Sequence, residues 1–184
     1  MKLTLVLSTL MTLLAVGCGA ASDVKSGSTG SAGASLLASN GPLNCTIQTA
    51  NGRFLTAVGG GNRTFDVIHT DATRALAWEK FQLIDSGDGS SPIHYGIKTV
   101  DGHYLTAVNG GGLVNDVIHS NATVLQAWEK FTLNSLGGGL YSVQSNDGHY
   151  VTANNGGGLI NDTIHTDATR VGAWEKFRFT CSSL

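Results

Sequence analysis

The chain has 184 residues, a formal net charge of −2, only 13% charged residues and 25 glycines. It carries no basic run and no interleaving of aromatic with basic residues, which excludes a nucleic-acid surface. The length holds one domain and some extra, and low charge with abundant glycine suits a turn-rich β domain.

The extra lies at the front. Lys2 precedes an apolar run over residues 3–16, too short to span a bilayer. Ala15-Val16-Gly17-Cys18 follows, and a short apolar segment ending in small residues reads as a secretory signal over residues 1–18. The position of Cys18 resembles a bacterial lipobox, although alanine stands where leucine is commoner. That resemblance implies lipidation of Cys18 and an exported lipoprotein at the cell envelope. An ordinary signal would instead discard Cys18 and release a secreted protein. Residues 19–43, rich in Gly, Ser and Ala without apolar period, read as a flexible linker. The membrane is expected to be met only through the lipid anchor.

From residue 44 the chain repeats itself. Ala77-Trp78-Glu79-Lys80-Phe81 returns as Ala127-Trp128-Glu129-Lys130-Phe131 and as Ala173-Trp174-Glu175-Lys176-Phe177, and these segments hold all three tryptophans. The offsets are 50 residues from Trp78 to Trp128 and 46 from Trp128 to Trp174. The copies span about 44–84, 94–134 and 140–181. Each reads as four short strands, which in the second copy cover residues 95–99, 103–107, 116–120 and 128–133. Asn51-Gly52, Asp101-Gly102 and Asp147-Gly148 predict tight hairpins with positive φ at both central residues. The glycine triplets from Gly59, Gly110 and Gly156 predict loops unconstrained by side chains. No segment has a helical period. Three copies are too few for a propeller and point to an all-β, β-trefoil domain with pseudo-threefold symmetry, residues 44–184. Closure of such a domain would set its first and last strands side by side. Cys45 and Cys181 stand on those strands, and export permits a disulfide between them; two buried free thiols are the alternative.

The run Gly102-His103-Tyr104-Leu105-Thr106-Ala107, a glycine-rich loop, then Trp128-Glu129-Lys130-Phe131-Thr132-Leu133 resembles the fascin-like β-trefoil family. Within it the chain is most similar to trefoil carbohydrate-binding modules of bacterial secreted proteins, including a β-glucan-binding type. The resemblance covers residues 44–181 and implies one sugar site per copy.

Strand alternation makes Phe81 and Leu83 core residues and turns Trp78 and Lys80 outward. Outward Trp78, Trp128 and Trp174 would serve as stacking platforms for pyranose rings; large aromatics also plug cores. Glu79, Glu129 and Glu175 either accept sugar hydroxyls or accept backbone N–H groups of the preceding loop. Lys80, Lys130 and Lys176 face solvent and could donate to a sugar oxygen. Asp66, Asp116 and Asp162 open the third strand, with His69, His119 and His165 three residues on. On a regular strand such a pair points to opposite faces, so it cannot chelate one ion, and no metal or other cofactor is expected. The aspartates either bind sugar or hold the glycine loop, and the histidines line a groove beside the tryptophans or sit half-buried and satisfied. Asn115 and Asn161 are further sugar-contact candidates without a counterpart in the first copy, which has Phe65 there.

These residues predict a non-catalytic, monomeric, lectin-like protein whose partner is a polysaccharide or cell-surface glycan. Glycosidases need two carboxylates in different roles, whereas three identical sets are not differentiated. The alternative is an adhesin or protease inhibitor without a sugar ligand, presenting the asymmetric loop 84–93.

Overall fold

The computed structural model describes residues 41–184; the secretory signal, Cys18 and the linker up to residue 40 lie outside the described residues. Twelve strands form one continuous antiparallel system. They are β1 (Leu43–Gln48), β2 (Phe54–Ala57), β3 (Ile68–Ala72), β4 (Lys80–Asp85), β5 (His94–Lys98), β6 (Tyr104–Ala107), β7 (Ile118–Ala122), β8 (Lys130–Gly137), β9 (Leu140–Gln144), β10 (Tyr150–Ala153), β11 (Ile164–Ala168) and β12 (Phe177–Ser183).

Six of them close a barrel. β1 pairs with β4, β4 with β5, β5 with β8, β8 with β9, β9 with β12, and β12 returns to β1. The remaining strands form the hairpins β2–β3, β6–β7 and β10–β11. The three have the same register, with Thr56, Thr106 and Thr152 opposite His69, His119 and His165 and a bulge at the same place. A barrel carrying three hairpins is the β-trefoil arrangement, and full closure leaves the barrel strands without an edge.

Alternation along the barrel strands builds the core. Phe81, Phe131 and Phe177 are buried to 1% exposure or less, and Ile47, Leu83, Ile97 and Leu133 pack with them. Each such side chain contributes about 1.5–3 kcal/mol on leaving water. Cys45 and Cys181 are opposed in the β1–β12 register and form the expected disulfide, with Cα atoms 4.1 Å apart.

Three sequence expectations are corrected. The Asn-Gly and Asp-Gly hairpins are not two-residue turns with two positive φ angles. Only Gly52, Gly102 and Gly148 take positive φ. The N–H of Gly52 donates to Thr49 O, and that of Thr49 to Arg53 O, closing a three-residue loop with its glycine in the left-handed position. The third strand does not open at Asp66, Asp116 or Asp162. Those residues lie outside it at φ 50°, 51° and 48°, and β3, β7 and β11 begin two residues later. The fourth strand does not include the tryptophan, since β4 and β8 begin at Lys80 and Lys130 and Trp128 sits in a single 3-10 turn, Ala127–Glu129.

The glycine-rich loops are also held, contrary to expectation. The N–H of Asn62 donates to Ser120 O and that of Ser120 to Arg63 O. Gly112 and Thr166 are joined to Thr166 and Leu113 in the same way, and Gly158 and Thr70 to Thr70 and Leu159. Each loop is thus bonded to a hairpin strand of another copy, whose partner residue there, Ser120, Thr166 or Thr70, has no exposed surface. A Cβ on Gly61 would lie 2.3 Å from Thr99 Oγ1 and 2.4 Å from Asp101 Oδ1. Only glycine permits that approach, at φ 124°.

Candidate functional site

The tryptophans emerge at the seams between copies. The hairpin tip of each copy hydrogen-bonds the glycine loop of another: Asp101 N–H to Gly60 O, Asp147 N–H to Gly110 O and Asn51 N–H to Gly156 O. These bonds bring a glycine shelf beneath each indole edge. A Cβ on Gly60 would stand 3.6 Å from Cδ1 and Nε1 of Trp78, and the same holds within 0.1 Å at Gly110 with Trp128 and at Gly156 with Trp174. Trp78, Trp128 and Trp174 keep 48%, 46% and 46% of their surface exposed. They neither plug the core nor stand free of the body. The residue beside the shelf differs at each seam: Val100 at the first, Asn146 at the second and Ala50 at the third.

The glutamates next to them are buried, with 6–8% exposure. Glu79 Oε1 accepts from Thr56 Oγ1 at 2.8 Å and Oε2 from Leu76 N at 2.7 Å. Glu129 accepts from Thr106 Oγ1 and Gln126 N at 2.7 and 2.9 Å, and Glu175 from Thr152 Oγ1 and Gly172 N at 2.8 and 2.7 Å. Both oxygens of each carboxylate are used within the fold. Of the two sequence readings, the backbone-acceptor role is the one these bonds match. They clamp the turn that carries the tryptophan to the second strand of the same copy.

Lys80 and Lys176 are exposed, whereas Lys130 donates to Asp88 Oδ2 at 2.9 Å. Asp88 comes from the 84–93 loop and also receives His94 Nδ1 at 3.0 Å. Hydrogen bonds from Ser90, Lys130 and His94 hold its carboxyl far below the ordinary carboxylate range.

The Asp and His candidates form pairs. Asp66 Oδ1 lies 2.7 Å from His69 Nε2, Asp116 Oδ1 lies 2.8 Å from His119 Nε2 and Asp162 Oδ1 lies 2.8 Å from His165 Nε2. Opposite-face geometry does not apply, because each aspartate sits in a left-handed turn ahead of the strand and swings back over it. Asp66 is joined also by Arg63 at 3.3 Å. The histidines are half-buried and partnered, which fits the satisfied alternative. Among the described residues no group of three or more such side chains could hold a metal ion. Among the described residues none of these carboxylates accepts a backbone N–H of the glycine triplets, although Asp66 accepts from the Arg63 side chain and the Asp162 carbonyl from Asn154.

The candidates also divide in space. Asp66, Asp116, Asp162, Asn115, Asn161 and His165 all line one bowl of about 610 Å³, and no tryptophan lines it. Phe65, Val114 and Ile160, all exposed, complete its wall. Three sequence-equivalent segments meet there, while the indoles stand at the seams. The sequence reading assigned Gly60, Gly110 and Gly156 to loops only, and Val100, Asn146 and Ala50 beside them escaped it. The signal for them was the hairpin-tip position Ala50, Val100, Asn146, which varies between otherwise similar copies.

Hydrogen bonding at the hairpin tips tunes two carboxyls. Burial raises Asp101, but bonds from the Thr99 hydroxyl and from His103 outweigh it, leaving Asp101 below the usual 3.8. Burial likewise raises Asp147, and bonds from the backbone N–H of His149, the Ser145 hydroxyl and the His149 ring bring it below 3.8.

No family model and no curated protein matches the chain by sequence. Solved structures do match by fold. A β-trefoil protein named BEL superposes with a TM-score of 0.59 at 10% identity, over 76% of this chain and 93% of its own. An exo-β-1,3-galactanase from Clostridium thermocellum matches with a TM-score of 0.59 at 14% identity, over 79% of this chain but only 31% of the enzyme. The Polyporus squamosus lectin, solved with the epitope Neu5Acα2-6Galβ1-4GlcNAc, matches with a TM-score of 0.57 at 15% identity, over 74% of this chain and 48% of the lectin. The fold is therefore the β-trefoil, a likeness of architecture at identities too low to carry a ligand.

Proposed function

We propose that this protein is a non-catalytic carbohydrate-binding protein of lectin type, built as three four-stranded copies with one sugar site at each seam. The observation that carries the proposal is the matched half-exposure of Trp78, Trp128 and Trp174 on glycine shelves. An indole fixed at one edge and open on a face offers an apolar plane to the C–H face of a pyranose. The shelf and the buried glutamate keep that plane from rotating, so little freedom is lost on binding.

One ring stacked at a solvent-facing site gives weak affinity, about 4 kcal/mol for a millimolar site. Three sites on one rigid body raise the effective concentration of the second and third contacts on a polymer. A polysaccharide, β-glucan among the candidates, or a dense cell-surface glycan is the partner such spacing serves. Export with a lipid at Cys18 would hold the domain at the cell envelope, where such polymers are met. The buried glutamates are assigned to the fold and not to the sugar. Asp66, Asp116, Asp162, Asn115 and Asn161 belong to the bowl and lie outside the seam sites.

Retention on β-1,3- and β-1,6-glucans, cellulose, chitin, xylan and starch tests the reading, with a Trp78→Ala/Trp128→Ala/Trp174→Ala variant beside the parent. We expect selective retention by the parent and at least tenfold weaker retention by the variant, with an unchanged far-UV spectrum. Retention by the folded variant equal to the parent's would remove the tryptophans as platforms. No retention of the parent on any glycan would favour the protein-interaction reading.

A further inference from the structure

Resting on the reading that Trp78 is a sugar platform, we propose that its seam takes an anionic sugar, one bearing a ring carboxylate such as a uronic acid. Beside the first seam lies a groove of about 510 Å³. Lys80, Gln82, Lys98 and Val100 line one part of it, and Thr46 and Ser182 another. Val100 joins the groove to the platform, because Val100 Cγ1 and the Trp78 indole edge flank the same glycine, Gly60.

The two lysines share an outward face. Lys98 stands opposite Gln82 in the β4–β5 register, and Lys80 is two residues from Gln82 on the same strand face. That diagonal relation sets their Cα atoms on the order of 7–8 Å apart, a span that one carboxylate between two flexible ammonium groups can bridge. Among the described residues no carboxylate forms an ion pair with either lysine, and none lines the groove. Lys98 Nζ rests 5.2 Å from the centre of the Tyr104 ring, an aromatic support that leaves its charge uncompensated.

The other seams lack this pair of lysines. The position of Lys98 is taken by Gln144 at the second seam and by Gln48 at the third. Each glutamine donates into its own hairpin, to Gly148 O at 2.7 Å and to Gly52 O at 3.1 Å. At the second seam Lys130 is already neutralised by Asp88; at the third, Arg178 stands opposite Gln48 on the face of Lys176, but its guanidinium is turned to donate to Gly138 O at 2.7 Å. Two adjacent ammonium groups repel each other, and an anion between them relieves that repulsion. A sugar carboxylate can accept from both Nζ atoms while its ring lies against Trp78.

The test titrates the full chain with polygalacturonate, with the neutral β-glucan laminarin and with dextran sulfate, for the parent, K98Q and K98R. Lys98→Gln installs the residue found at the other two seams. We expect polygalacturonate binding about tenfold weaker in K98Q and restored in K98R, with laminarin binding unchanged in all three. Equal polygalacturonate affinity in K98Q and parent overturns the proposal. So does dextran sulfate competing as well as polygalacturonate at equal charge, which would reduce the effect to unspecific attraction. Laminarin bound but polygalacturonate ignored overturns the anionic site alone; a parent that binds none of the three overturns the glycan reading with it.

Discussion

At the scale of single residues, the hairpin tips provide a natural comparison. Asn51, Asp101 and Asp147 occupy the same place, and each accepts a hydroxyl bond through its side-chain oxygen, from Thr49, Thr99 and Ser145 respectively. Only the two aspartates titrate. Their carboxyls stand below 3.8 in the folded chain, so they contribute stability that is present above the unfolded value and lost as pH falls through the folded one. Replacing both with asparagine, the residue of the first copy, removes that contribution and should lower Tm at pH 7. Thermal melts between pH 5 and pH 2.5 should then show a decline smaller than the parent's by about 3–5 °C. A parallel decline would mean that these carboxyls are not linked to folding. Side-chain direction was legible within β4, where strand parity places Phe81 and Leu83 inside and Lys80 outside; Trp78 precedes that strand and its exposure does not follow from parity. The Asp66–His69 contact was not, because parity holds only within a strand and Asp66 precedes one in a left-handed turn.

At the scale of elements, the glycine loops and the seams are one device. The loop after β2 must pass so close to Thr99 and Asp101 that Gly61 has no room for a methyl group, and its φ of 124° disfavours any other residue. Gly61→Ala should therefore cost about 2–4 kcal/mol, from backbone strain together with displacement of the neighbouring hairpin. Denaturant unfolding with an unchanged m-value would measure it. Gly87→Ala, at a loop glycine with open space around it, should cost less, through its positive φ alone. The four-strand rhythm was readable from turn residues and β-branched runs. The strand starts were not, since Asp116 and Trp128 lie beside strands in positions that composition does not separate from strand. Constraint on the glycine loops was hidden for a different reason: it comes from other copies, more than 30 residues away in sequence for Gly61 and Thr99.

At the scale of the whole molecule, closure was legible because two cysteines bracket the repeats, and the β1–β12 ladder now supplies its geometry. The bowl was not, because three segments must converge before it exists, and in the first copy the apolar side chain sits one position later, at Phe65 rather than at the place of Val114 and Ile160. The Cys45–Cys181 bond closes 136 residues, a loop for which chain entropy gives about 5 kcal/mol at most. Cys45→Ser/Cys181→Ser should lose a large part of that, seen as a lower denaturant midpoint, and dithiothreitol should bring the parent to the same value. Equal midpoints with and without the bond would show that the barrel closes as firmly without it. The bond also decides how the protein bears tension. A pull between Leu43 and Ser183, the first and last paired residues of the barrel, reaches the two cysteines after two residues on either side. From there it passes from one end to the other through a covalent link. The 136-residue span between the cysteines, roughly 450 Å if drawn out, carries no load in such a pull.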